Sequence, residues 1–335
     1  MPDALTWIPF DFLGGWNPTP NVQSNAPKMS LGLQENELEV CQDFHYAGAY
    51  RLESRLGIDR AVTYITINKI NGIYEYRRAG AGGYTTKILV VAGVSVYAMD
   101  SVADSSLGSA IGTIGTGGED PVNFITFNNK VIMAQSTELR SWDQTTFTDL
   151  TTAPLTWILS NHERRVWVSG NPSYPWRVYY SAIDDETIWG TEAYIDLEGH
   201  AAIKAMVSSY NGLYLFCEGE IKQLINTGYV TDMQAIPITT GITAITQRSC
   251  VSVHGDIYFL ATDSIYCLTS TGELQDLFAT KEHLKDWYRR KIDVRNDNIN
   301  INGACGAYVP EIQSVIWCFP SVSSTYLYIN DACIV

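Results

Sequence analysis

Tyr210-Asn211-Gly212-Leu213-Tyr214-Leu215-Phe216-Cys217-Glu218-Gly219-Glu220-Ile221 reads as two short strands joined by an acidic, glycine-containing turn. His254-Gly255-Asp256-Ile257-Tyr258-Phe259-Leu260-Ala261-Thr262-Asp263-Ser264-Ile265-Tyr266 repeats the arrangement. A polar turn leads into an apolar run, and the strand after the next turn opens on isoleucine. Similar runs stand at 87–91, 131–133, 165–168 and 314–317, two of them behind the polar turns Asn128-Asn129-Lys130 and His162-Glu163-Arg164. With Val90, Val131, Val166, Leu213, Ile257 and Val315 as anchors, the intervals are 41, 35, 47, 44 and 58 residues. That is the scale of a propeller blade of about four strands. Tandem hairpins of this kind stack radially and leave only short, protected edges. A two-sheet sandwich gives strands of similar length, but the repetition favours an all-β propeller of six blades.

The chain has 335 residues, 46% apolar and 17% charged, with 20 tyrosines. This excludes a disordered protein, and no run approaches the roughly 18 consecutive apolar residues of a membrane helix. Met1-Pro2-Asp3-Ala4-Leu5-Thr6-Trp7 lacks the basic and apolar regions of a secretory signal. The net charge of −14, from 22 basic and 36 acidic residues, argues against tight nucleic-acid binding, which needs Lys and Arg. Such acidity serves solubility, or the wall of a conduit that must pass DNA without gripping it. The seven cysteines are odd in number, show no C-x-x-C and sit mostly in apolar strand-like runs. They read as reduced core thiols, consistent with folding in a reducing cytoplasm.

Other segments depart from the repeat. Residues 280–292 read as a helix, with Thr280 as N-cap, Leu284, Trp287, Tyr288 and Ile292 as an apolar stripe, and basic residues in the last turns. It is an insertion that lengthens the 58-residue interval. Residues 1–60 are turn-rich and aromatic around Leu13-Gly14-Gly15-Trp16-Asn17-Pro18, and read as an extended arm and ring-closing segment ahead of a single propeller domain at 61–335. The glycine-rich stretch 107–120 reads as a flexible loop. The apolar run 325–335 ends inside an apparent hairpin. Either the N-terminal segment pairs with it, or the natural chain continues.

Catalytic patterns are scarce. The five histidines are scattered without H-E-x-x-H spacing, no G-x-S-x-G occurs, and the glycine-rich stretch lacks the Lys-Ser/Thr of a phosphate loop. Ser181-Ala182-Ile183-Asp184-Asp185-Glu186-Thr187-Ile188-Trp189 is similar to the S-x-D-x-G-x-T-W turn of propeller sialidases, but Ile183 takes the aspartate position and the glycine is missing. Glu119-Asp120 and Asp184-Asp185-Glu186 are sequence neighbours, which point to opposite faces of a strand and make poor catalytic pairs. Trp142-Asp143 occurs without the Gly-His partner of a WD repeat. The expectation is a protein that is not an enzyme, with no catalytic residue, metal or cofactor. A carbohydrate-active or glycan-binding propeller is the alternative, and would gather Arg, Trp and carboxylates on the propeller axis.

One series of motifs carries a family resemblance. It runs from Gly14-Gly15-Trp16-Asn17 and Arg51, Arg55 and Gly57, through Leu139-Arg140-Ser141-Trp142-Asp143 and Val166-Trp167-Val168-Ser169-Gly170. It continues with Pro175, Arg177-Val178-Tyr179-Tyr180-Ser181 and Trp189, then the two hairpins quoted first; His162 stands where an asparagine is expected. The series resembles the β-propeller tail proteins of short-tailed bacteriophages, called nozzle, tail-hub or packaged-DNA-stabilisation proteins. The resemblance implies a structural virion protein, assembled in the bacterial host cytoplasm, that forms a homohexameric ring at the head–tail connection. It further implies passage of double-stranded DNA, contacts to portal or adaptor and to tail fibre or needle proteins, and no membrane-spanning segment. Gly14, Gly15, Trp16, Asn17, Arg51 and Arg55 are the candidate subunit-interface residues.

Overall fold

Each apolar run of the sequence forms the second strand of an antiparallel sheet. In the computed structural model the residues described are 70–80, 82–100, 107–115, 121–135, 138–228, 232–280, 282–291, 304–311, 313–320 and 329–334, with short strands before them. Those short strands are β1 (Gly15–Trp16) parallel to β2 (Glu37–Leu38), and β3 (Phe44–Tyr46) antiparallel to β4 (Leu52–Ser54). The first sheet comprises β5 (Ile70–Gly80), β6 (Gly83–Ala92), β7 (Ser95–Met99) and β8 (Gly112–Thr113). The second holds β9 (Asn123–Phe127), β10 (Lys130–Gln135), β11 (Glu138–Trp142) and β12 (Phe147–Asp149). The third holds β13 (Ile158–His162), β14 (Arg165–Ser169), β15 (Arg177–Tyr180) and β16 (Tyr194–Asp196). The fourth is β17 (Ile203–Ser209), β18 (Gly212–Cys217), β19 (Glu220–Ile225) and β20 (Gln234–Thr240). The fifth is β21 (Cys250–Val253), β22 (Asp256–Leu260), β23 (Ile265–Leu268) and β24 (Leu274–Asp276). Helix α1 (Glu282–Lys291) follows, and then the sixth sheet, β25 (Cys305–Val309), β26 (Ser314–Pro320) and β27 (Ile329–Ile334).

Every one of these six sheets is an up-and-down meander, and the first strands β5, β9, β13, β17, β21 and β25 lie beside one another in chain order. The arrangement is a β-propeller. Two-residue turns join the first and second strands of several sheets. Asn128-Asn129, Glu163-Arg164 and His254-Gly255 all hold positive φ at both positions, the geometry that matches the twist of a hairpin.

The core lies between sheets, not within one. Along β18 all six residues are buried. Leu213, Leu215 and Cys217 pack towards the third sheet with Trp167 and Val178. Tyr214 and Phe216 turn the other way, onto Ile257 and Phe259 of the fifth. β10 repeats the logic, with Val131 and Met133 against the first sheet and Ile132 and Ala134 against the third. Side chains of a strand alternate between faces, and here each face has a neighbouring sheet, so the run must be apolar throughout. Cys217 and Cys267 are buried in this packing; burial pushes the Cys217 thiol up to about 12, so it behaves as a small hydrophobe. Cys217, Cys250, Cys267, Cys305 and Cys318 are free thiols.

One expectation is corrected. The stretch 107–120 is not simply a flexible loop. Within it β8 forms the outer strand of the first sheet, and Leu107 and Ile114 are buried. Ile114 fills the space between the first two sheets, which outweighs the surrounding glycines. The C-terminal run contributes β27, which pairs with β26 over five register positions from Ile316↔Ile334 to Pro320↔Ile329. The expected helix is present as α1. Its Tyr288 is fully buried, donates its hydroxyl to the Ala261 carbonyl at 2.6 Å, and Lys285 pairs with Asp276 at 2.5 Å.

Truncating a side chain clasped between two sheets leaves a cavity. Leu215→Ala is expected to cost about 2–5 kcal/mol, and Leu155→Ala, at a position 55% exposed, no more than about 0.5 kcal/mol. Denaturant unfolding of the two variants checks this. Equal losses would contradict a core made at the sheet interfaces.

Candidate functional site

A densely bonded polar group lies among the first strands, where the sheets converge. A single turn of 3-10 helix, Gln247–Ser249, leads into β21. The Gln247 side chain accepts from the Met206 amide at 2.7 Å and donates to the carbonyls of Met206 at 2.9 Å and Leu159 at 3.2 Å. Arg248 donates to the Asn71 carbonyl at 3.2 Å, across 177 residues of sequence. Asn71 also accepts the Val122 amide at 3.0 Å, and the Ser249 carbonyl accepts the Trp317 indole at 2.8 Å. Three residues therefore tie together backbone of the first, third and fourth sheets and a side chain of the sixth. These groups satisfy carbonyls that adjoining strands leave open. Their chemistry is that of a clamp.

A second cluster sits on the outer strands of the third sheet. Arg177 of β15 forms a bidentate pair with Asp196 of β16, at 2.6 and 2.8 Å. Its guanidinium lies 3.6 Å from the ring centroid of Tyr194 and 4.4 Å from that of Tyr174. Trp176 stacks on His200 at 4.5 Å, and Tyr174 meets Trp176 edge-on. The Arg177 hydrogen bonds hold the Asp196 carboxyl below the usual carboxylate range and raise the guanidinium. Tyr174 and His200 are exposed, and Trp176, Tyr179 and Tyr194 are half-buried. The result is a rigid aromatic face with its charge already paired.

The segment Ser181 to Trp189 joins the same two strands, and its acids close the turn on itself. Asp185 accepts the Thr187 amide at 2.8 Å and hydroxyl at 2.6 Å, which lowers its pKa. The Trp189 indole donates to the Glu186 carbonyl at 2.8 Å, and Glu186, almost fully buried, pairs with Lys130 of the second sheet at 2.5 Å. Asp184 pairs with Arg164. Each of these carboxylates is already engaged, by Arg164, Thr187 or Lys130. Asp143 likewise accepts the amides of Thr145 and Thr146, so Trp142-Asp143 ends a strand and opens a turn.

A third feature is the β5–β6 hairpin. It pairs over ten register positions, where the corresponding hairpin of the second sheet pairs over five. Its end, from Arg77 to Thr86, overhangs the second sheet. There Asn129 exchanges hydrogen bonds with the Ala79 backbone, and Gln144 with Thr85. Tyr84, 77% exposed, stands beside the glycine tip.

Of the residues expected at a subunit interface, Gly15 and Trp16 form β1, in register with Glu37 and Leu38. Gly14, Asn17, Arg51 and Arg55 lie outside the described residues. Residues matching the tail-protein series fall within the propeller framework: Arg140 on β11 pairs with Glu138 at 2.7 Å and Asp149 at 2.5 Å, and Trp167 on β14 donates to the His162 carbonyl at 2.9 Å. Gln247 and Arg248 gave no sequence signal, standing in an unremarked Thr-Gln-Arg-Ser run. The long hairpin did give one, in the alternation Tyr74, Tyr76 and the glycines at 80, 82 and 83. Among the described residues no three His, Cys, Asp or Glu side chains gather as a metal-holding group, and no helix is long and apolar enough to cross a membrane.

No family model matches the sequence, and no curated protein does. Solved structures similar in fold include the extracellular domain of a hybrid two-component system from B. thetaiotaomicron, at 9% identity and TM-score 0.48 over 80% of this chain and 34% of that one. PorZ, a surface component of the type-IX secretion system of Porphyromonas gingivalis, is similar at 12% identity and TM-score 0.43, over 64% of this chain and 28% of its own. The Pan2 WD40 domain of Neurospora crassa is similar at 7% identity and TM-score 0.42, over 62% and 65%. The chain spans about a third of the first of these. At such identities the likeness is one of fold alone.

His162 gives the third and fourth sheets a pH dependence. Its Nδ1 lies 2.8 Å from the Ser208 hydroxyl, and burial holds the imidazole below its ordinary 6.5, with Glu163 pulling weakly the other way. The unfolded chain therefore binds a proton near pH 6.5 that the folded chain refuses, and stability falls as pH drops below that value. Denaturant unfolding at pH 7.5 and 5.5 should show this loss in the natural protein and less of it in His162→Asn. An unchanged acid slope in the variant would place the proton elsewhere.

Proposed function

We propose that this chain is a structural virion protein of a phage tail, forming a ring-shaped nozzle or hub through which DNA passes and onto which other tail parts dock. The observation that carries the reading is where the motif residues are tied. Arg140 and Arg177 are each paired with carboxylates of their own sheet, and Trp142, Trp167 and Tyr180 are buried between sheets. Residues held this way build a rigid frame and leave its faces to bind partners. Gln247 and Arg248 occupy the convergence of the first strands, so the DNA path of this reading runs between subunits, through the lumen of a ring of six copies. A net charge of −14 suits such a wall, because it does not hold phosphates. Portal or adaptor and fibre or needle proteins are the partners, and the reaction chemistry is none.

A carbohydrate-binding propeller is the second reading, favoured by the half-exposed rings of Tyr174, Trp176 and Tyr194 around Arg177. One comparison separates the two. Electron microscopy of the purified protein mixed with the neighbouring products of its genome is expected to show rings docked on a portal or adaptor. Sugar-induced thermal stabilisation that disappears in Tyr194→Ala, with no co-assembly, would overturn the tail reading in favour of glycan binding.

A further inference from the structure

The sixth sheet places two thiols opposite each other. Cys305 on β25 and Cys318 on β26 are direct register partners of an antiparallel pair. Their neighbours Gly306 and Trp317 are also partners, and this next position faces the fifth sheet: a Cβ on Gly306 would lie 2.6 Å from the Trp317 ring and 2.7 Å from Val251, and the Trp317 indole donates to Ser249. Strand side chains alternate, so Cys305 and Cys318 share the other face of the sheet, away from that core. Both are half-buried, and neither is in a disulfide. Directly opposed residues of an antiparallel pair have Cα atoms about 4.5 or 5.5 Å apart according to their place in the ladder, and both separations lie within the disulfide range of about 4.4–6.8 Å. The Cys318 thiol is raised by burial and then by the adjacent Cys305 sulfur, which places the two groups within electrostatic reach.

We propose that Cys305 and Cys318 are a modification site, a cross-strand dithiol that closes to a disulfide on exposure to a low-molecular-weight disulfide such as oxidised glutathione. One protein thiolate attacks a glutathione sulfur, forms a mixed disulfide and releases a glutathione thiolate. The second protein thiolate attacks the protein sulfur of that adduct and releases the other glutathione thiolate. The two thiol protons pass to the two glutathione thiolates, and two electrons move from the protein sulfurs to glutathione. The product joins the first two strands of the sixth sheet without displacing the Trp317 face. This inference stands on the register alone and does not depend on the tail reading.

The test uses the full chain, folded, incubated with oxidised glutathione and then freed of it. Titration with a thiol reagent after unfolding is expected to find two fewer thiols than in the reduced protein, with a mass loss of two hydrogens and a single cross-linked peptide containing Cys305 and Cys318. Cys305→Ser and Cys318→Ser should each stop at the mixed disulfide with glutathione on the remaining cysteine. Full retention of both thiols, or a peptide map joining either to Cys333 or another cysteine, would overturn the assignment. If the serine variants fail to fold, the thiol count and peptide map of the unmodified sequence decide the question alone.

Discussion

The structure depends on one constraint: the second strand of an inner sheet is covered on both faces. A sheet in a sandwich hides one side and wets the other, so its strands alternate. In this chain Leu213, Leu215 and Cys217 meet one neighbour while Tyr214 and Phe216 meet the next. Polar residues have no place along such a strand unless they find a partner, since an unpaired buried polar group costs about 1–3 kcal/mol. The run is therefore apolar from end to end, and the polar residues collect in the turns on either side. Asn128-Asn129, Glu163-Arg164 and His254-Gly255 all stand at such ends.

This constraint made much of the fold legible in the sequence. All six anchors lie on second strands: Val90 on β6, Val131 on β10, Val166 on β14, Leu213 on β18, Ile257 on β22 and Val315 on β26. The outer strands were far less visible. β12, β16 and β24 have three residues each, half-exposed, and nothing distinguishes Phe147–Asp149 from a loop without its neighbour β11. β8 was hidden more completely, because its two residues lie in a glycine-rich stretch and its pairing depends on β7, some fifteen residues upstream. Helix α1 was readable because its apolar spacing is local.

The polar clusters were readable only in part, for a related reason. Arg177 and Asp196 are 19 residues apart and come together across the β15–β16 ladder, so their pairing follows once the strands are known. Gln247 offers no such route. Its partners Leu159 and Met206 lie on two other sheets, 88 and 41 residues away, and their contribution is backbone carbonyl and amide, which every residue possesses. A sequence pattern records side chains. It is silent about which main-chain groups a fold will leave open at its centre.

That central turn changes what kind of repeat the molecule is. In a stack of similar units each touches only the next, and stability is close to a sum over units and their interfaces. Units can then be added or lost with little consequence elsewhere. The links from Gln247 and Arg248 reach past nearest neighbours, to Leu159 of the third sheet and Asn71 of the first, while Ser249 ties in Trp317 of the adjoining sixth. They act as a keystone: taking out one unit would shift the carbonyls that Gln247 and Arg248 cover, so its effect would be felt in sheets that the lost unit never touched.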